Sequence, residues 1–115
     1  MSVPSLTAEQ LDELPYGAIE LDASGKILEF NRAEEELSDH HAQDVIGRNF
    51  FTEIAPCSDV RQFKGRFTEF LNSNRPTEVF SFTYQFPDRP VQVELVFVRV
   101  NQSLAFVLSK KGSSP

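Results

Sequence analysis

Apolar and polar residues alternate from Gly17 to Leu21, which is the pattern of a β-strand with one buried face. The next four residues, Asp22-Ala23-Ser24-Gly25, have the composition of a tight turn, and a second strand pattern follows from Lys26 to Phe30. The two segments predict a β-hairpin. Before them, Thr7-Ala8-Glu9-Gln10 has the form of a capping box with Thr7 as the N-cap, so a short helix is predicted to end near Leu14.

The middle of the chain has helical patterns. Asn31 is a good N-cap for the helix formers of Arg32 to Leu37, and Ala42 to Ile46 predicts another helical turn. A longer amphipathic helix is predicted after Ser58-Asp59, ending at Leu71. The phenylalanines on its apolar face are Phe63, Phe67 and Phe70.

Three further strands are predicted at Glu78 to Phe86, Val91 to Val100 and Ser103 to Leu108. In the first, every second residue is aromatic, so one face of this strand packs on a core. The aromatic residues of that face are Phe80, Phe82, Tyr84 and Phe86. Short connections between successive long strands predict an antiparallel meander.

This order of elements predicts an α+β fold with a five-stranded antiparallel sheet. Short helices and one longer connecting helix cover one face of the sheet and leave a cavity beneath them. That layout is typical of a PAS-type sensor domain. We expect a cap segment at residues 1–14, the PAS domain at residues 15–109, and a polar, disordered tail at residues 110–115.

Composition limits the function classes. The chain has 115 residues, which is one domain of ordinary size, and its net charge is −6 with eleven scattered Lys and Arg residues. Scattered basic residues on an acidic chain argue against nucleic acid as a partner. The chain has neither a signal-peptide pattern nor an apolar run long enough to cross a membrane. We therefore expect a cytoplasmic protein with no membrane partner.

Cys57 is the only cysteine, and it follows Ala55-Pro56. A single thiol can carry a covalent ligand but cannot form an internal disulfide, although free cysteines are more often small buried hydrophobes. One cysteine without repeated ligand spacing makes a metal site improbable, and the Cys-x-x-Cys-His motif of covalent haem attachment is absent. The sequence also has no Gly-rich phosphate loop and no nucleophile dyad, so we do not expect an enzyme.

Glu34 lies on an apolar stripe. Phe30, Ala33, Glu34 and Leu37 have the spacing of one helical face. Two interpretations remain open, a solvated acidic face or a buried carboxyl. Burial disfavours the charged form and raises the pKa of a carboxyl group, and a neutral buried carboxyl can donate a hydrogen bond to an anion.

Four segments together resemble the photoactive yellow protein family. These segments are Leu14 to Asp22, Gly25 to Glu34, Val45 to Phe51 and Ala55 to Cys57. The resemblance is nearly ungapped from Leu14 to about Phe70, and Asn49-Phe50-Phe51 followed by Ala55-Pro56-Cys57 is its most specific part.

The resemblance implies a chromophore and a mechanism. It places p-coumaric acid on Cys57 as a thioester and makes Glu34 a protonated hydrogen-bond donor to the phenolate. In that family blue light isomerises the chromophore, the glutamic acid gives its proton to the phenolate, and the new buried carboxylate loosens the fold. We also expect Tyr84 to line the chromophore pocket.

The sequence departs from the family at three matching positions. Phe30 occupies the site of a tyrosine that bonds the phenolate, so one hydrogen bond to the chromophore is missing. Ser38 replaces a threonine that supports this tyrosine, and His40 replaces an arginine that shields the pocket.

The resemblance therefore predicts a blue-light receptor that signals to an unknown downstream protein, as a monomer or weak homodimer. The alternative is a chromophore-free PAS module that binds a partner protein or a small apolar ligand in the same cavity. Phe30 and His40 favour the alternative, whereas the intact Ala55-Pro56-Cys57 favours the receptor.

Overall fold

Five antiparallel strands form one sheet in a computed structural model that describes residues 8–58, 60–85 and 89–111. The strands are β1 (Gly17–Asp22), β2 (Ile27–Phe30), β3 (Thr77–Gln85), β4 (Pro90–Arg99) and β5 (Leu104–Lys111). Their order across the sheet is β2-β1-β5-β4-β3. The predicted hairpin of β1 with β2 and the predicted meander of β3, β4 and β5 are confirmed. Phe86, predicted at the end of β3, lies outside the described residues.

The last strand is longer than predicted. β5 extends to Lys111, so Lys110 and Lys111 belong to the sheet and not to a disordered tail. Lys110 pairs with Glu94 of β4, and opposite charges at directly facing positions stabilise antiparallel pairing. The prediction of a tail from residue 110 was therefore wrong for these two residues, while residues 112–115 lie outside the described part of the chain.

The helices are short. They are α1 (Ala8–Asp12), α2 (Arg32–Ser38), α3 (Ala42–Val45) and α4 (Arg66–Asn72), with π-helical segments at Phe50–Ile54 and Arg61–Gly65 and a 3₁₀ segment at Pro56–Ser58. The predicted longer helix thus starts as a π-helical segment that continues into α4. The predicted N-cap of α1, Thr7, lies outside the described residues.

An aromatic cluster lies between the sheet and the helices that follow β2. Phe63 lies at its centre and is fully buried. Its ring contacts rings from both sides, with centroid distances of 5.5 Å to Phe51 and 5.2 Å to Phe82. Such edge-to-face pairs add to the stabilisation that burial of apolar area provides. The predicted apolar face of the longer helix is confirmed, because Phe67 and Phe70 are also buried in this cluster.

Helix α1 packs on the opposite face of the sheet. Leu11 forms a second buried cluster with Ala18 of β1 and Phe106 of β5. Because successive residues of a strand point to opposite faces, the neighbours Ile19 and Val107 lie in the larger cluster. Both faces of the central strands are therefore covered.

Arg99 of β4 ties α4 to the sheet. Its guanidinium group donates hydrogen bonds to the backbone oxygens of Phe70 and Ser73 at the C-terminal end of α4. The last carbonyl groups of a helix lack partners within the helix. Phe70 O also accepts from Ser73 N–H and from the Ser73 hydroxyl, so Arg99 adds a link from this helix end to the sheet. The same guanidinium lies 4.8 Å from the centre of the Phe70 ring.

Asn31 connects α1, β1 and α2. As predicted, its side-chain oxygen caps α2 by accepting a hydrogen bond from the backbone N–H of Glu34 at 3.0 Å. The same oxygen accepts from Ala18 N–H at 2.8 Å. Its amide nitrogen donates to the backbone oxygens of Leu11 at 2.7 Å and Tyr16 at 3.0 Å. Asn31 is 1% exposed, so each of these bonds is shielded from water and costly to lose.

We predict that Asn31→Ala lowers the free energy of unfolding by on the order of 2–4 kcal/mol, because a helix cap and several buried hydrogen bonds are lost together. Asn31→Asp keeps an acceptor oxygen for the cap but sets a buried carboxylate oxygen against the backbone oxygens of Leu11 and Tyr16, so at neutral pH it should destabilise the fold at least as much. Urea unfolding monitored by circular dichroism measures both. A loss below about 1 kcal/mol for Asn31→Ala would show that the network contributes no more than a surface cap.

Candidate functional site

The Glu34 carboxyl is buried beneath α2. Glu34 lies in the first turn of this helix and is 4% exposed. The sequence left open whether this residue is solvated or buried, and in the structure it is buried. The apolar stripe that suggested burial is only partly helical, because Phe30 ends β2 and α2 starts at Arg32.

The carboxyl group packs on the pair formed by Gly17 of β1 and Ser109 of β5. These two residues face each other in the antiparallel register. Glu34 Oε1 lies so close to Gly17 that a Cβ atom there would collide with it, and the Cβ would also come within 3.2 Å of Glu34 Cδ. Ser109 donates a hydrogen bond to the carboxyl group. Glycine at position 17 is therefore a steric requirement of this arrangement.

Burial raises the pKa of Glu34 to about 8, and the hydrogen bond from Ser109 acts in the opposite direction. The group is therefore mostly protonated at neutral pH. Glu34 Oε1 has no hydrogen-bond partner among the residues that the structure describes. A buried, neutral carboxyl with an unused oxygen can bond a ligand group placed next to it.

Phe30 and Tyr84 both contribute to the cluster between the sheet and the helices. Phe30 pairs with Ile19 across the hairpin and is 6% exposed. Tyr84 is 7% exposed, and its ring centre lies 5.2 Å from that of Phe82 and 6.3 Å from that of Phe63. The structure thus places Glu34, Phe30 and Tyr84 on the same face of the sheet.

Ser38 and His40 lie toward the end of α2. Ser38 donates its hydroxyl hydrogen to the backbone oxygen of Glu34 at 2.7 Å and accepts from His40 N–H at 3.3 Å. The His40 side chain is half-buried and lines a cleft of about 540 Å³ with Asp44 and Glu53 among its neighbours. Neither Glu34 nor Tyr84 lines this cleft. The structure therefore brings Ser38 to the Glu34 backbone and His40 to a separate polar cleft.

Cys57 is the middle residue of the 3₁₀ segment Pro56–Ser58, which packs against β3. The preceding π-helical segment is held by Asn49, whose side-chain oxygen accepts hydrogen bonds from the N–H groups of Phe51 and Thr52. The Asn49 amide also donates to Ser24 in the hairpin turn at 2.8 Å. Local hydrogen bonds therefore anchor the chain that leads to Cys57.

Sequence reasoning missed Gly17 and Ser109. Their importance comes from the pairing of β1 with β5, which are distant in the sequence. One signal was present for Ser109, because Ala105, Val107 and Ser109 alternate toward the covered face. A serine at such a position needs a hydrogen-bond partner, and here the partner is Glu34.

Comparison with known proteins agrees with this arrangement. Residues 6–102 match the family model described as PAS fold. The photoactive yellow protein of Rhodothalassium salexigens is 43% identical over 86 residues, which cover 75% of this chain and 69% of that protein. The one from Halochromatium salexigens is 36% identical over 94 residues, which cover 82% of this chain and 75% of that protein. The chain belongs to the photoactive yellow protein family.

The solved structures give the same result. The photoactive yellow protein domain of the sensor histidine kinase Ppr from Rhodospirillum centenum superposes with a TM-score of 0.84 at 36% identity, and the match covers 92% of this chain and 94% of that one. The PAS domain of the Cronobacter turicensis RpfR receptor, at 20% identity and a TM-score of 0.71 over 88% of this chain and 97% of that one, shares the fold. The prediction of an α+β PAS fold is confirmed.

Membership in this family identifies the chain as a sensory domain and not an enzyme, as predicted. Within the described ranges, no three His, Cys, Asp or Glu residues are grouped so that they could hold a metal ion. In the same part of the chain, every helix is too short or too polar to cross a membrane.

Glu34 should make the stability of this photoactive yellow protein homologue depend on pH. Its folded-state pKa of about 8 exceeds the ordinary value of 4.5, so the folded chain binds this proton more tightly than the unfolded chain does. The stabilisation is complete below the ordinary pKa and is lost as the pH rises to the folded pKa. Between about pH 6 and pH 9 we expect a loss on the order of 2–3 kcal/mol in the free energy of unfolding.

Glu34→Gln keeps the size of the side chain and removes its titration, so this variant should lack that part of the pH dependence. Urea unfolding of both proteins at several pH values measures the difference. Parallel pH profiles would mean that Glu34 is not the buried group that titrates.

Proposed function

We propose that this protein is a blue-light receptor that carries a p-coumaroyl group as a thioester on Cys57, with Glu34 as the hydrogen-bond and proton donor. The observation that carries this proposal is the buried Glu34 carboxyl, whose Oε1 lacks a partner among the described residues. Membership in the photoactive yellow protein family supports it, because proteins of this family carry a chromophore.

The residues present fit such a group at its polar end and along its apolar body. The unused Glu34 Oε1 matches a phenol or phenolate oxygen, because a protonated carboxyl can donate to an anion. Phe30 and Tyr84 supply buried aromatic surface on the same side of the sheet. When bound, the p-coumaroyl group supplies absorption of blue light and isomerisation of its double bond.

Proton transfer from Glu34 then couples the absorption of light to a structural change around α2. While Glu34 is protonated, its burial costs little, but loss of the proton leaves a carboxylate in a desolvated position. Gly17 and Ser109, which contact it, carry no compensating charge. A buried charge without a cation is costly, so local opening of the structure around α2 becomes competitive. We propose that this opening is the signal passed to a downstream protein.

We predict that an activated p-coumaric acid derivative acylates Cys57 and gives a coloured product. Mass spectrometry of the reacted protein should show one added p-coumaroyl group, and the matched variant Cys57→Ala should show none. Because Cys57 is the only cysteine, the thioester has a single possible position.

An unmodified mass for the native protein, or an equal increase for Cys57→Ala, would contradict the receptor proposal. The first of these outcomes would favour the alternative, a chromophore-free PAS module that binds a partner protein or a small apolar ligand. Phe30 is the observation in favour of that alternative, since it removes a hydrogen bond that the chromophore receives in the family.

A further prediction concerns the colour of the acylated protein. Phe30 cannot donate a hydrogen bond to the phenolate, so the phenol pKa of the chromophore should be raised and the neutral, shorter-wavelength form should be more populated at neutral pH. Phe30→Tyr should restore a donor to the anion and weaken proton binding at the phenol by about tenfold or more.

Titration of absorbance against pH measures this change. Phe106→Tyr makes the same chemical change on the opposite face of the sheet and should leave the titration unaltered. Identical curves for the native protein and Phe30→Tyr would show that position 30 does not reach the phenolate.

A further inference from the structure

Ser109 is an unusual residue for its position. It is 2% exposed, and the residues that precede it on the same face of β5, Ala105 and Val107, are apolar and fully buried. A buried hydroxyl without a partner is costly. Ser109 bonds to the Glu34 carboxyl, so its presence on this face is explained by that group.

We propose that Ser109 is the positioning residue of the Glu34 carboxyl. Its hydroxyl holds the carboxyl by a hydrogen bond, and Gly17, its partner across the β1–β5 pair, leaves the space that Oε1 occupies. The pair thereby orients Glu34, with Oε1 in the space beside Gly17 and without a hydrogen-bond partner among the described residues. The inference rests on the proposed function only for the identity of the ligand that Oε1 meets.

Charged groups near this pair are on the surface. A cleft of about 400 Å³ passes over Gly17 and Ser109, and its charged lining residues are Glu36 of α2, Lys110 of β5, and Arg89. All three are exposed, so water and salt screen their effect on the buried carboxyl. Glu35, the next acidic residue of α2, accepts a hydrogen bond from Ala42 N–H at 2.7 Å. Within the described part of the chain, the Ser109 hydroxyl is the side-chain group that hydrogen-bonds to the Glu34 carboxyl.

The test compares Ser109→Val with Ser109→Thr in the protein without chromophore. Valine and threonine have nearly the same shape, and only threonine keeps a hydroxyl. Loss of the hydrogen bond to the carboxylate form should raise the pKa of Glu34 in Ser109→Val, with proton affinity increased on the order of tenfold. Infrared difference spectroscopy measures this pKa from the carboxylic C=O band of Glu34, which Glu34→Gln identifies by its disappearance.

Ser109→Thr should keep the pKa and the C=O band of Glu34 close to those of the native protein, and so should Ser81→Val on the exposed face of β3. If Ser109→Val titrates like the native protein, or if Ser109→Thr changes the pKa as much as Ser109→Val, the proposal is wrong. None of these measurements requires acylation of Cys57, so failure of the proposed function would leave the result interpretable.

Gly17→Ala gives an independent test if Ser109→Val does not fold. The added Cβ would collide with Glu34 Oε1, so the carboxyl must move away from the pair. Its pKa should then fall toward the ordinary value, opposite to the change in Ser109→Val. An unchanged Glu34 pKa in Gly17→Ala would contradict the placement of the carboxyl on the Gly17–Ser109 pair.

Discussion

The buried side-chain amide of Asn31 is the interaction on which the arrangement of the site depends. It fixes the start of α2 against Ala18 of β1, and it holds α1 and the chain that follows α1 through the backbone oxygens of Leu11 and Tyr16. Because Asn31 caps α2 through Glu34 N–H, the cap also sets where the first turn of α2 lies over the sheet. The position of the Glu34 carboxyl follows from a structural hydrogen bond three residues earlier.

That position has an energetic consequence. An ionisable group beneath a helix is tolerated because it can stay neutral, and the high pKa of Glu34 expresses the cost of charging it there. Removal of this proton would convert a neutral buried carboxyl into a buried charge without a neighbouring cation among the described residues. Ionisation of Glu34 would therefore destabilise the fold around α2.

The structure gives different surroundings to three residues that the sequence analysis singled out, Phe30, Ser38 and His40. Phe30 is well accommodated as a buried aromatic residue. Ser38 remains connected to the Glu34 backbone, whereas His40 lies in a separate polar cleft.

The sequence by itself determined the local elements. The structure contains the elements that depend on interactions within a few residues. These are the strand at Gly17–Leu21, the aromatic strand β3, the turn before Lys26, the Asn31 cap and the helix with regularly spaced phenylalanines. The resemblance of Asn49-Phe50-Phe51 and Ala55-Pro56-Cys57 also identified the family. The sequence could not decide between a solvated and a buried Glu34, because a short helix leaves its orientation to its neighbours.

Only the tertiary structure decided which residues meet. The pairing of β1 with β5 places Ser109 opposite Gly17, and Glu34 then lies on both. The pairing of β5 with β4 keeps Lys110 and Lys111 in a strand despite their polarity. A pattern along the chain records which face of an element is apolar, but the register between distant strands depends on the packing of the whole sheet.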